Sequence, residues 1–189
     1  ALHRLIVSFK ISTAISIARQ KLAEGKSVIF ALYSTGEAST NRSILRGNIA
    51  PSSAMEDVLP GITQDLPLDP VDLLVDEFGA DAVAEITGRH ARYVRNSDSD
   101  GWHVERVPPK QAASFQNGTK RIAILSKAGG LGLSLNDTGS GQRHVIVLEF
   151  PWSCEDFAQQ IGRAHRTSNR TAPEYTILVT SIPSEQRVL

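Results

Sequence analysis

An α/β fold, with a parallel sheet flanked by helices on both faces, is what this 189-residue chain predicts. Three observations carry the expectation. Short, nearly all-apolar runs such as Ser27–Tyr33 have the composition of strands buried on both faces. These runs alternate with stripes in which apolar residues recur every three or four positions, the period of a helix packed on one side. The hydrophobic content, 41%, suits one well-packed domain of this length.

Each element follows from local pattern. Ile11, Ala14, Ile15, Ala18 and Leu22 form the first helical stripe, and Gly25 supplies its stop. After the strand Ser27–Tyr33, the triplet Ser34, Thr35 and Gly36 opens a polar helix start with Glu37 in its first turn. Residues 47–70 hold four prolines and no sustained period, so they read as an inserted surface segment. Val71, Leu74, Val75 and Phe78 make the next stripe, ended by Gly79, and Ala82–Ile86 is a second strand running into Thr87, Gly88 and Arg89. Residues 91–107, two runs around a polar loop, read as a peripheral β-hairpin, with a short helix after it over Lys110–Phe115. Lys120–Leu125 is the third core strand, Ala128–Leu135 a glycine-rich stretch and His144–Phe150 the fourth strand, closed by Pro151. A helix from about Cys154 to about His165 and a last strand, Tyr175–Val179, complete the chain. Repeated strand–helix–strand units put ligand sites beyond the carboxyl ends of the strands.

Composition narrows the function. Twenty basic residues balance twenty acidic ones, so binding to nucleic acid has to come from a local patch. The single cysteine, Cys154, excludes an internal disulfide framework and fits a reducing compartment. No apolar run is long enough to span a bilayer, and the N-terminus lacks a secretory pattern, so the expectation is an intracellular protein without a membrane partner. The start at Ala1 suggests a piece of something longer.

Two stretches imitate an ATP site. Gly25-Lys26-Ser27 has the ending of a phosphate-binding loop, but Gln20 stands where that pattern wants its first glycine, and the triplet precedes a strand instead of following one. Val75-Asp76-Glu77-Phe78 looks like an acidic magnesium motif, yet the apolar stripe puts both acids on a solvated helix face. Two other stretches keep both a bland and a functional reading. Gly129, Gly130 and Gly132 directly follow a strand, as in a flexible loop or in one that brings backbone N–H groups to phosphate. Arg163 and Arg166, three apart in the expected helix and behind Gln159, form with His165 and Arg170 an acid-free cationic segment. That is either ordinary surface or an anion site using the fixed charge and forked donors of guanidinium.

Together, Gln159-Gln160-Ile161-Gly162-Arg163-Ala164-His165-Arg166 and Ala128-Gly129-Gly130-Leu131-Gly132 resemble the last two motifs of superfamily-two helicases, close to those of Swi/Snf-type remodelling ATPases. Residues 28–38, 82–89, 148–153 and 171–175 resemble the strawberry notch helicase-like family, a likeness that runs from about Gly25 to Leu178. The resemblance implies a RecA-like C-terminal motor domain over residues 1–189, of P-loop NTPase type but without a P-loop, whose N-terminal ATP-binding partner is a separate RecA-like domain. It implies arginine fingers at Arg166 and Arg163 with Gln159 opening their motif, and ATP-proximal positions at Gly130, Gly132 and Ser134. It implies contacts to a DNA or RNA backbone from Thr35, Gly36, Thr87, Gly88, Arg89, Ser126 and Lys127. ATP and Mg2+ are then held mainly by the partner domain, no metal by this one, and the isolated chain is inactive. The location implied is cytoplasmic for a bacterial or phage protein and nuclear for a eukaryotic one. A non-catalytic scaffold keeping the fold to bind nucleic acid or a regulator is the alternative.

Overall fold

The computed structural model describes residues 2–33, 69–96, 102–130, 132–151, 153–182 and 185. Thr35, Gly36 and all but the last two residues of the 47–70 segment lie outside that set. The first helix, α1 (Leu2–Ala23), is followed by strand β1 (Ser27–Ala31). Then come α2 (Pro70–Phe78), β2 (Val83–Ile86), β3 (Ala91–Arg95), β4 (Trp102–Arg106), α3 (Gln111–Gln116), β5 (Ile122–Leu125), β6 (Arg143–Val147), α4 (Cys154–Ile161) and β7 (Glu174–Ile177). Five strands form a parallel sheet in the order β2-β5-β1-β6-β7, while β3 and β4 pair as a separate antiparallel ribbon.

Alternation along the buried strands builds two cores. Val28, Phe30, Ile122, Ile124, Ile146 and Leu148 face one side, against Val7, Ile11, Ala14 and Ala18 of α1 and Val71, Leu74 and Val75 of α2. Ile29, Ala31, Ala123, Leu125, Val145 and Val147 face the other, against Phe115 of α3, with Phe157 and Ile161 of α4 at its edge. With both faces covered, all five residues of β1 and of β6 are buried, which is why Val28–Ala31 and Val145–Val147 are apolar without alternation, while Ser27, Arg143 and His144 stand buried at the amino ends.

Local chemistry sets the boundaries. Asp69 caps α2 by accepting from the Val71 N–H at 3.0 Å, and Pro70 occupies its first turn, where no backbone donor is missed. Pro70 therefore belongs to α2 and not to the inserted segment. Lys26 sits at the amino end of β1, paired with Glu174 at 2.6 Å, on the opposite edge of the sheet from the strand ends where ligands gather. Asp76 pairs with Arg95 and Glu77 with Arg19 on the outer face of α2. Neither stretch that imitates an ATP site has the surroundings of one. No helix among the described residues is long and apolar enough to cross a membrane.

Candidate functional site

Beyond Leu125 the chain packs closely against the end of β2. Ser126 is buried; its Oγ donates to the Thr87 carbonyl at 2.8 Å and accepts from the Gly129 N–H at 3.2 Å, tying the end of β5 to that of β2. A Cβ on Gly129 would lie 2.2 Å from the Ile86 oxygen and 2.6 Å from the Thr87 nitrogen. One on Gly130 would lie 3.1 Å from Arg163 Nε. Protein, not ligand, thus fills the space these two glycines free, whereas Gly132, at φ +72°, has nothing near it. Gly129→Ala is expected to destabilise the domain by roughly 3 kcal/mol, because backbone has to move. A shift of the urea midpoint corresponding to less than about 1 kcal/mol would contradict that packing.

The arginine segment differs from expectation. α4 ends at Ile161, so Arg163 and Arg166 do not share a helix face. Arg163 and Ala164 donate backbone N–H groups back to Gln160 (3.4 Å) and Ile161 (3.2 Å), the tight i→i+3 pattern of a last turn. The Arg163 carbonyl accepts from Leu135 N–H at 2.9 Å and its Nη1 donates to the Leu133 carbonyl at 3.4 Å, so the segment is clamped to the glycine stretch. Burial, then the like charge of Arg166, lowers the Arg163 pKa from its usual value. Arg166 is exposed, and its side chain has no partner among the described residues. Gln159 is exposed and bonds Glu155 at 3.2 Å, far less committed than its neighbour Gln160, which is buried and donates to the Leu32 carbonyl at 2.7 Å. Gln160 thus pins α4 to the end of β1. Its place beside Phe157, Ile161 and Ala164 on the inward side of α4 was the signal for it.

Three residues expected at the nucleic-acid backbone, Arg89, Thr87 and Ser126, make internal bonds with their side chains. Arg89 is buried, its Nε 2.6 Å from Glu85 and its Nη2 2.9 Å from Asp72. Thr87 donates to Glu85 at 2.8 Å and accepts from the Arg89 N–H at 3.2 Å, and Ser126 is occupied as above. These residues face one another because a lone buried charge is far costlier than a paired one. Lys127 is half exposed, but holds Asp156 at 2.7 Å and lies 5.0 Å from the Tyr33 ring centre. The bond to Asp156 raises its pKa. Gly88, at φ +81°, and Ser134 are exposed.

Burial pushes the Asp72 carboxyl up to about 6, against the opposing pull of Arg89. Arg89 is pulled down by burial, but Asp72 and Glu85 more than offset that, and its pKa ends raised. A raised carboxyl pKa means that the folded state keeps a proton the unfolded chain has released. Asp72's contribution to stability is therefore greatest below about pH 4 and is lost as pH rises to about 6. Asp156 and Glu174, lowered by their hydrogen bonds to Lys127 and Lys26, act with the opposite sign. The stability of wild type relative to Asp72→Asn should accordingly fall between pH 4 and pH 6.5 in urea titrations; a flat difference would contradict the burial-raised value.

Among solved structures, the C-terminal part of the Fun30 ATPase domain is similar to this chain, with a TM-score of 0.50 and 19% identity, over 95% of this chain and 43% of that one. At that identity the likeness shows the fold. The five-stranded parallel sheet with helices on both faces is thus of the RecA-like kind. Residues 69–189 match the family described as the C-terminal domain on Strawberry notch homologue, and the chain belongs to that family. Protein strawberry notch homolog 1 of Gallus gallus is 39% identical over 145 residues, covering 69% of this chain and 12% of that protein. Protein FORGETTER 1 of Arabidopsis thaliana is 36% identical over 137 residues, covering 65% and 11%. The chain thus spans about a tenth of the length of these relatives.

Proposed function

We propose that this domain is the second half of an ATP-driven helicase or translocase motor of intracellular location. Arg166, with Arg163 beside it, turns toward ATP whose phosphates and Mg2+ are held by an N-terminal RecA-like domain of the same parent chain, and DNA or RNA is the track. One observation carries the reading. The Arg163–Arg166 segment is fixed to the glycine stretch by the main-chain bond from Leu135 to Arg163, yet Arg166 is exposed with no acid to neutralise it among the described residues. A cation held ready and unpaired at the carboxyl edge of a parallel sheet suits a polyphosphate, and fixed positive charge is what the transition state of phosphoryl transfer needs. Arg163, placed over Gly130 and coupled to Arg166, sets the position of the segment.

The fit to ATP is one of charge, from arginines alone. Among the described residues no group of three or more His, Cys, Asp or Glu side chains is placed to hold a metal ion, so on this reading the partner's acids hold it. Bound ATP would supply the phosphoryl group that is transferred to water. This chain's own part is to orient and neutralise, with Gly132 and Ser134 at the open end of the glycine stretch nearest the nucleotide. The longer protein that contains the domain should hydrolyse ATP faster when nucleic acid is added, whereas the 189-residue chain alone should show no turnover. Comparable hydrolysis by the isolated chain would overturn the division of labour.

A further inference from the structure

α4 leads straight into the arginine segment, and a single polar residue anchors it. Its apolar residues Phe157 and Ile161 are half-buried, and the one buried residue among its eight is Gln160. The Gln160 side chain donates to the Leu32 carbonyl at 2.7 Å, across 128 positions of sequence. Its other polar side-chain atom, Oε1, is buried with no hydrogen-bond partner among the described residues. An apolar side chain here would bury comparable surface without leaving an acceptor unpaired, so stability alone does not account for a glutamine at this position.

The bond joins the centre of the sheet to the arginines. Leu32 follows directly on β1, the central strand of five, and is itself held: its N–H donates to the Leu125 carbonyl at 2.9 Å, and the next N–H, that of Tyr33, donates to Glu149 at 2.9 Å. The Gln160 carbonyl in turn accepts from the Arg163 N–H at 3.4 Å. Gln160 is therefore bonded to the sheet through its side chain and to the arginine segment through its main chain. Apolar contact is non-directional and lets a helix turn or slide, whereas a buried hydrogen bond fixes one rotation and one register. The other polar tie of α4, from Asp156 to Lys127 at 2.7 Å, is partly open to solvent and holds far less.

We infer that Gln160 is a positioning residue for the arginines: it touches neither nucleotide nor nucleic acid, and it sets the rotation of α4 so that Arg163 and Arg166 meet the phosphates in register. This role rests on the motor reading, and the two are separable by experiment. In the longer protein, Gln160→Met keeps the side-chain volume and loses the bond. It should lower nucleic-acid-stimulated ATP turnover by between about tenfold and a hundredfold, the effect of displacing a reacting group by about 1 Å. The loss should fall on kcat, with the KM for ATP within about threefold of wild type, because the contact displaced is one made in the transition state. Gln160→Asn, with the same amide one methylene shorter, should be slowed alike, which separates reach from polarity. In the Arg163→Ala/Arg166→Ala background, Gln160→Met should slow turnover by no more than about twofold further, since the groups it positions are gone. Phe115→Leu, which thins the same core from α3, is the control for lost stability. It should lower the melting temperature of the 189-residue chain by roughly 3 °C while keeping kcat in the longer protein, assayed well below the transition.

Four results overturn the inference: turnover by Gln160→Met within about twofold of wild type, a KM for ATP that rises as far as kcat falls, an equal slowing in Phe115→Leu, or the same slowing in the Arg163→Ala/Arg166→Ala background as in wild type. Any of these, alongside turnover that still depends on Arg166, would remove the role of Gln160 and leave the motor reading standing. Full turnover by Arg166→Ala would remove both.

Discussion

Arg166→Ala, made in the longer protein that carries this domain, is expected to lower nucleic-acid-stimulated ATP turnover about a thousandfold or more. The same change should leave the stability of the domain within about 0.5 kcal/mol, because the side chain is exposed and has no partner among the described residues. That pairing of outcomes follows from placement. The backbone around Arg166 is fixed, through Asn169 and the clamp on Leu135, while the guanidinium itself has no partner among the described residues. Arg166→Lys should recover little of the rate, since an ammonium offers a point charge where a planar fork is needed. Arg163→Ala separates the two roles. It removes a partly buried side chain that lies over Gly130, so it should lower stability by about 1 kcal/mol as well as slowing turnover. Undiminished turnover in Arg166→Ala, measured with nucleic acid saturating, would end the finger assignment.

How much of this was legible in the sequence depended on whether a signal was local. The core strands were legible because burial on both faces leaves apolar runs of three or four residues, Val28–Ala31, Ile122–Leu125 and Val145–Val147. The stripe that marks α1 is clear from Ile11, although the helix starts at Leu2. Its inward side continues back through Val7, but Lys10 interrupts it, and Lys10 is buried only because its Nζ reaches the Leu148 carbonyl at 2.8 Å and pairs with Glu185. Partners so remote in sequence leave no local pattern. The same reason hid the roles of Thr87 and Arg89. Polar residues at a strand end look alike whether they face a ligand or one another, and the partner that decides the matter, Asp72, sits seventeen residues before Arg89 on a different element.

The glycines and the arginines show the opposite error, a local rule carried too far. Three glycines after a strand suggested room for a ligand, yet two of them make room for β2 and for Arg163. Helical spacing suggested one face for Arg163 and Arg166, yet α4 stops at Ile161, because Leu135 takes the Arg163 carbonyl into a loop contact. The ribbon of β3 and β4 was recognisable as two runs around a polar loop, and the structure pairs them antiparallel, from Ala91 with Arg106 to Arg95 with Trp102.

Arg89→Ala is the second large effect, and it bears on how the end of β2 is held to α2. The substitution leaves Asp72 and Glu85 buried with no cation between them, which is expected to cost about 3 to 5 kcal/mol at pH 7.5. The loss should shrink toward pH 5, because Asp72, at about 6 even with Arg89 beside it, takes a proton there and ceases to be a bare buried charge. Adding Asp72→Asn should restore part of the loss, so that the two changes are strongly non-additive in a double-mutant cycle read by urea unfolding. A loss below about 1 kcal/mol, unaffected by pH, would mean that water reaches the cluster freely. Arg89 would then be available to a nucleic-acid phosphate, as the resemblance implies. A loss of the expected size assigns Arg89 to holding the end of β2 to α2.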